Sequence, residues 1–223
     1  AQSQKAGDSA CRKQEKEMSR KIGLFGGSFN PIHNGHLHNA CAVRRELQLD
    51  GVVLMPAGEA PHKSSAAYAP AADRLEMCRI AAQPFPWMYV SDYETTQSGK
   101  NYTVDTLRAL HEMEKDIEWS LMIGSDMLLS FRTWRQWQEI LRLAGICAVS
   151  REIGDLPALN ACADSLRTDC PDAVIHVLTV SAMPVSSTEI RQNLQKNLDC
   201  SCLLPENVVQ YIREKQLYLL DER

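Results

Sequence analysis

The sequence lacks several features that would each assign a protein class at once. No stretch of its 223 residues approaches the roughly 18 uninterrupted apolar residues of a membrane-spanning helix. The first twenty residues hold no apolar run ahead of a cleavage site, so they do not read as a secretory signal. No C-x-x-C pair occurs among the eight cysteines, and a chain of this length buries enough core to need no disulfide staples. Positive charge is not in excess: 24 Lys and Arg against 28 Asp and Glu give a net charge of -4, the opposite of a general nucleic-acid binder's basic footprint. There is no internal repeat and no low-complexity tract. Nor is the chain short of apolar residues: 44% hydrophobic and 23% charged is the balance of an ordinary globular protein, which excludes disorder throughout. The absences leave a globular protein of a reducing cytoplasm, with no nucleic-acid or membrane partner expected. A small anionic substrate held by a few local cations stays open.

What is present is an alternation. Residues 1–20 are polar and aperiodic and read as a flexible leader, with Met18 a candidate natural start. The folded domain is expected over residues 21–223. Strands are predicted at 21–25, 51–55, 88–91, 119–123, 145–149 and 174–178. Helices are predicted at 36–47, 72–81, 104–115, 136–143, 156–166, 187–194 and 206–214. Short apolar runs alternating with helical periodicity mean βαβ units. Right-handed crossovers then give an α/β fold with a doubly wound, mainly parallel, Rossmann-like sheet. The last helices, over about 186–218, are expected to form a small C-terminal helical subdomain. Cys41, Cys78 and Cys147 sit inside apolar patterns and are expected to be buried thiols. The Cys200-Ser-Cys202 pair has no second Cys/His pair at zinc-ligand spacing, so no metal site is expected.

The most informative stretch is Gly26-Gly27-Ser28-Phe29-Asn30-Pro31-Ile32-His33-Asn34-Gly35-His36, between the first strand and the first helix. In a doubly wound sheet, the loop after strand one is the usual phosphate site. Gly26 and Gly27 let backbone N–H groups approach a ligand. His33 and His36, three apart at the mouth of a helix, can face one spot, and Gly35 removes bulk between them. The helix N-terminus adds positive potential for an anion. A tight glycine turn with two surface histidines is the structural alternative. A metal site would need a third ligand, and this loop offers no Asp or Glu. A second stretch, Ser186-Ser187-Thr188-Glu189-Ile190-Arg191, opens a helix near the C-terminus with capping-box spacing between Ser186 and Glu189.

These two stretches resemble the paired signatures of the H-x-G-H nucleotidyltransferase superfamily; the KMSKS loop of its synthetase branch is absent. Three further patches resemble bacterial nicotinate-nucleotide adenylyltransferases in particular: Pro61-His62-Lys63, Asn101-Tyr102-Thr103-Val104, and Gly124-Ser125-Asp126 followed by Phe131, Thr133 and Trp134. The tail from Leu203 to Tyr218 fits the same pattern. The resemblance runs from about Lys21 to Tyr218. Two positions depart from the commonest pattern: Ser28 stands where many members have Thr, and Asn30 where they have Asp.

The resemblance implies adenylyl transfer from ATP to nicotinate mononucleotide, giving deamido-NAD and pyrophosphate. It implies catalytic roles for His33, His36 and Arg191. It places Gly26, Gly27, Ser28, Phe29, His33, His36, Gly124, Asp126, Ser186, Ser187, Thr188 and Arg191 around ATP. His62, Lys63, Tyr102, Thr103 and Trp134 would bind the mononucleotide, with Trp134 against the pyridine ring. Mg²⁺ would travel with ATP, since it keeps its waters and substrate phosphates rather than an all-protein cage. A homo-oligomer is compatible with the sequence, which does not set its size. Within the superfamily, transfer to nicotinamide mononucleotide, to pantetheine phosphate or in a cytidylyl reaction are the alternatives. A non-catalytic nucleotide-sensing module is the alternative from another class, and retention of both histidines and Arg191 argues against it.

Overall fold

The computed structural model of the chain describes residues 19–58, 68–150, 152–181 and 183–219. His62 and Lys63 therefore lie outside the described residues, as does most of the expected leader. In chain order the elements are β1 (Arg20–Gly27), α1 (Asn34–Glu46), β2 (Gly51–Pro56), α2 (Ala71–Ala82), β3 (Met88–Val90), α3 (Tyr93–Thr96) and α4 (Thr103–Met113). They continue with β4 (Ile117–Gly124), α5 (Ser125–Leu129), a 3-10 turn at Phe131–Thr133, α6 (Trp137–Leu143), β5 (Gly145–Ser150) and a second 3-10 turn at Ile153–Asp155. The last elements are α7 (Leu156–Asp169), β6 (Ile175–Thr179), α8 (Ser187–Gln195) and α9 (Glu206–Glu214).

The six strands form one sheet in the order β3-β2-β1-β4-β5-β6. Every pairing is parallel; Ile22 on β1 lies opposite Gly51 on one side and Trp119 on the other. The chain therefore winds outward twice from β1, and the direction of winding reverses between β1 and β4. Such sheets are covered on both faces, which is why the strands read as nearly continuous apolar runs. Val52, Leu54, Met122 and Cys147 join one core with Ala40 and Val43 of α1, Met77 and Cys78 of α2, Ile190 of α8 and Val208 and Ile212 of α9. Ile22, Leu24, Leu121, Ile123 and Ile146 join the other with Val104 and Leu107 of α4, Ile140 of α6 and Leu159 of α7. The C-terminal helices thus share their core with the sheet.

Every predicted strand and helix is present, with boundaries that differ by a few residues. Arg20, assigned to the leader from sequence, is the first residue of β1, and its N–H donates to Asp116 O at 2.9 Å. Cys78 and Cys147 are buried as expected, and burial raises the Cys147 thiol to about 12. Cys41 is only half-buried, because α1 turns that position partly outward. The short α3, α5 and the 3-10 turns escaped the sequence reading; runs of three to five residues are too short to show a helical period.

Candidate active site

The loop after β1 is built by burying its own side chains. Phe29 adopts a left-handed backbone, φ 42°, uncommon for a bulky residue. Its ring is 1% exposed and lies edge-on to Phe25 at 5.5 Å and to His36 at 5.0 Å. The Asn30–Pro31 peptide is cis. Helix α1 begins two residues earlier than its periodicity suggests, at Asn34, so His33 is its N-cap and His36 falls in the first turn. The Nδ1 of His36 accepts the His33 backbone N–H at 3.2 Å. That bond assigns the proton of a neutral His36 ring to Nε2. The two imidazoles stack at 3.6 Å, 25° from parallel. His33 is buried and His36 half-buried. Gly35 is required by space: a Cβ there would lie 2.7 Å from Val185 Cγ1 and 3.1 Å from His33 Nδ1.

Across the winding reversal, β4 ends at Gly124, which is the N-cap of α5. A Cβ at Gly124 would lie 2.8 Å from Asp126 Oδ1. The two strand ends enclose a cavity of about 260 Å³, lined by Gly26, Gly27, Ser28, Phe29, His36, Gly124 and Asp126. Gly26 faces open space within it. Buried His33 lies behind His36 and does not line the cavity. Asn39, Met122, Met127 and Val149 also line it, and sequence reasoning missed them. Met122 and Val149 come from β4 and β5, whose apolar runs signal only core, and Asn39 and Met127 from α1 and the short α5, where nothing local marks them. A larger groove of about 620 Å³ lies at the opposite end of the sheet, with Lys21, His111 and Trp119 in its wall. It stands at the amino ends of the strands, whereas ligands of open parallel sheets bind at the carboxyl ends.

The start of α8 is fastened to the same β1 loop. Ser187 Oγ donates to Pro31 O at 2.9 Å, and Arg191 Nη1 donates to Asn30 O at 2.8 Å. Ser186 Oγ accepts Glu189 N–H at 3.1 Å, the forward half of the capping box. Arg191 Nη2 donates to Thr188 Oγ1 at 3.2 Å. The hydroxyl proton of Ser187 is therefore spent on the loop, while that of Thr188 stays available.

Of the residues expected to bind the mononucleotide, Tyr102, Thr103 and Trp134 gather in a second recess of about 210 Å³, lined also by Asn101, Thr133, Arg135 and Ile140. Trp134 follows the 3-10 turn and leans on buried Phe131, with centroids 5.2 Å apart. Tyr102 is the N-cap of α4, with no side-chain cap, and Thr103 is its first helical residue. Arg135, which the sequence did not single out, lies over the Tyr102 ring at 4.6 Å and 3.5 Å from Asp105. Below the recess, Glu94 accepts Thr106 Oγ1–H at 2.8 Å, and its carbonyl accepts Asn101 Nδ2–H at 2.9 Å. Burial raises the Glu94 carboxyl above its usual value, and the Thr106 bond partly opposes this.

Three buried polar side chains also escaped the sequence reading as parts of the site. Asn30 Oδ1 accepts Ala69 N–H at 3.0 Å and Tyr218 Oη–H at 2.9 Å. Arg74 lies beneath the loop. Only the tertiary contact reveals them, since an Asn in a turn and an Arg in a helix are ordinary in sequence. Among the described residues no group of three or more His, Cys, Asp or Glu could hold a metal ion, and no helix is long and apolar enough to cross a membrane.

A parallel sheet wound twice from β1, with a glycine and histidine loop at its reversal point, defines a nucleotide-binding α/β protein. The chain belongs to the cytidylyltransferase-like family, whose model matches residues 24–193, and within it to the group of nicotinate-nucleotide adenylyltransferases. A relative from Neisseria meningitidis carrying the name "Probable nicotinate-nucleotide adenylyltransferase" is 39% identical, covering 89% of this chain and 98% of its own. One of the same name from Synechococcus is 38% identical over 91% of this chain and 96% of its own. The fold is shared with the Plasmodium falciparum nicotinic acid mononucleotide adenylyltransferase complexed with NaAD. That match has a TM-score of 0.70 at 18% identity and covers 89% of this chain and 97% of the other.

Proposed function

We propose that the protein transfers the adenylyl group of ATP to nicotinate mononucleotide, releasing pyrophosphate and deamido-NAD. The observation that carries this reading is the cavity between the β1 and β4 ends, where His36 meets Gly26–Gly27 on one side and Gly124 and Asp126 on the other. A phosphate oxygen of the mononucleotide attacks the α-phosphorus in line. A new O–P bond forms as the bond to the β-phosphate oxygen breaks, and no covalent enzyme intermediate is involved. Catalysis is then positioning and charge neutralisation. His36 presents its Nε2–H to the phosphates, and His33 fixes that ring by stacking and by its backbone N–H. Thr188 and Arg191 face the leaving pyrophosphate, while Ser187 holds the helix on the loop. Asp126 stands where ribose hydroxyls need an acceptor. Mg²⁺ enters as part of the substrate Mg·ATP, and the chain works as a cytoplasmic enzyme.

The mononucleotide occupies the recess at Tyr102, Thr103 and Trp134, with the ring on Trp134 and its carboxylate at the start of α4. Unpaired N–H groups of a helix start suit an acceptor-only carboxylate. An amide there would aim its NH₂ at donors, a mismatch of about 1–3 kcal/mol. The test is kcat/KM for the acid and amide mononucleotides at saturating Mg·ATP, read by pyrophosphate release. A preference for the acid of roughly tenfold or more is expected. Equal values, or preference for the amide, would overturn acid selectivity; pyrophosphate release with neither would overturn the reaction.

A further inference from the structure

Arg74 is 1% exposed, among the most buried large side chains of the protein. Its three guanidinium nitrogens each donate to a backbone carbonyl: Nη1 to Ser28 at 2.8 Å, Nη2 to Gly58 at 2.8 Å and Nε to Ala69 at 3.2 Å. Its guanidinium carbon lies 4.9 Å from the centre of the Tyr68 ring. These carbonyls belong to three segments: the loop leaving β1, the exit of β2 and the entry to α2. No carboxylate among the described residues pairs with this cation. The neighbouring Asp73 instead accepts the Tyr211 hydroxyl at 2.8 Å.

A buried charge without a countercharge is costly, and an apolar side chain could fill the same space at less cost. Two properties of this guanidinium have no apolar substitute. Its planar fork holds several acceptors in one fixed arrangement, which a lysine ammonium on a flexible stem does not reproduce. Its charge, which meets no carboxylate among the described residues, also lies directly under the carbonyl of Ser28, whose residue lines the cavity. The β1 and β2 exits that it joins are adjacent, with Gly27 opposite Pro56 and Ala57 N–H donating to Gly27 O at 2.8 Å.

We propose that Arg74 is a positioning residue for adenylyl transfer, holding the β1 loop against the exit of β2 on one guanidinium and supplying positive potential beneath the bound phosphates. It acts through the loop and touches no reacting atom. The proposal rests on the adenylyl-transfer reading above.

The test compares Arg74→Lys and Arg74→Gln with Leu166→Ala, a buried α7 residue of the opposite core. All are assayed well below their melting temperatures. Tm, kcat, the KM of each substrate and the Kd of ATP by calorimetry are measured. Arg74→Lys keeps the charge and loses the fork. It should lower kcat by about tenfold or more, the scale of a misplaced reacting group, with a smaller loss of ATP affinity. Arg74→Gln should weaken ATP further. Leu166→Ala, with an equal or larger drop in Tm, should leave kcat and ATP affinity near wild type. The proposal is overturned if Arg74→Lys keeps kcat within about threefold of wild type, or if activity falls only in step with Tm as in Leu166→Ala. It is also overturned if neither Arg74 variant folds, because the residue then serves stability alone. If the wild type transfers to neither mononucleotide, the adenylyl-transfer reading fails. ATP affinity in the same variants still decides whether Arg74 positions the loop.

Discussion

The cavity at the β1 loop and the recess at Trp134 are built on different plans. On the β1 side, nearly every polar contact is a side chain tied to backbone: Arg191 to Asn30 O, Ser187 to Pro31 O, Arg74 to Ser28 O, and His36 to His33 N–H. On the Trp134 side, aromatic rings form the wall: Trp134 follows a 3-10 turn and leans on Phe131, and Tyr102, the N-cap of α4, lies under exposed Arg135. The first arrangement fixes where backbone donors and one imidazole point before any ligand arrives. Charge stabilisation is strongest when such groups need no reorganisation. The second offers a flat surface and a helix start, which suits recognition of a ring and its substituent. The polar contacts that hold backbone in place are thus concentrated at the β1 loop, and the aromatic surface at the Trp134 recess.

The comparison is sharpened most by His36→Ala. It should lower kcat by roughly 10²–10³, the cost of one preorganised donor, with a Tm drop of only a few degrees from the lost capping contact and little change in the KM of the mononucleotide. A folded His36→Ala protein with unchanged kcat would erase the distinction. Arg191→Ala comes next. A hydrogen bond from a charged group contributes about 1.5–3 kcal/mol, so the KM of Mg·ATP should rise by one to two orders of magnitude, far more than that of the mononucleotide. On the other side, Trp134→Ala removes a stacking surface of about 1–3 kcal/mol. Steady-state kinetics should show that loss in the mononucleotide KM, with that of Mg·ATP unchanged. Equal effects on both substrates would break the division of the cleft.

The smallest effect concerns the support beneath Trp134's recess. The folded state raises the Glu94 carboxyl, so it favours the protonated form. The stability this residue withholds at neutral pH returns as pH falls through the folded-state value. Glu94→Gln keeps an acceptor for Thr106 and removes the penalty. It should raise Tm at pH 7 by less than about 4 °C, the shift for ~1 kcal/mol in a chain of this size. The gain should shrink in acid, and thermal melts across pH 4–7 would show whether it does.

The architecture was legible in the chain's patterning, because the alternation of short apolar runs with helical periods points to a parallel doubly wound sheet. The loop after β1, which lines the cavity, was legible too, since glycines and histidines between strand and helix form a local pattern. His36 was named from that local pattern, while Thr103, Trp134 and Asp126 were named through the family resemblance. What holds that loop in place emerges from contacts between distant segments. Asn30, Arg74 and Tyr218 are far apart in sequence, and each alone reads as a turn residue, a helix residue and a tail aromatic. Their roles appear when β2, α2 and the segment after α9 converge beneath the β1 loop, where buried carbonyls and amides must find partners. Likewise, the Ser187 hydroxyl, expected to face phosphate, donates to Pro31 O because folding brings a buried acceptor within reach. Local patterns record where the chain turns and what it exposes. The pairing of buried polar groups depends on distant segments meeting, and no window of sequence contains that information.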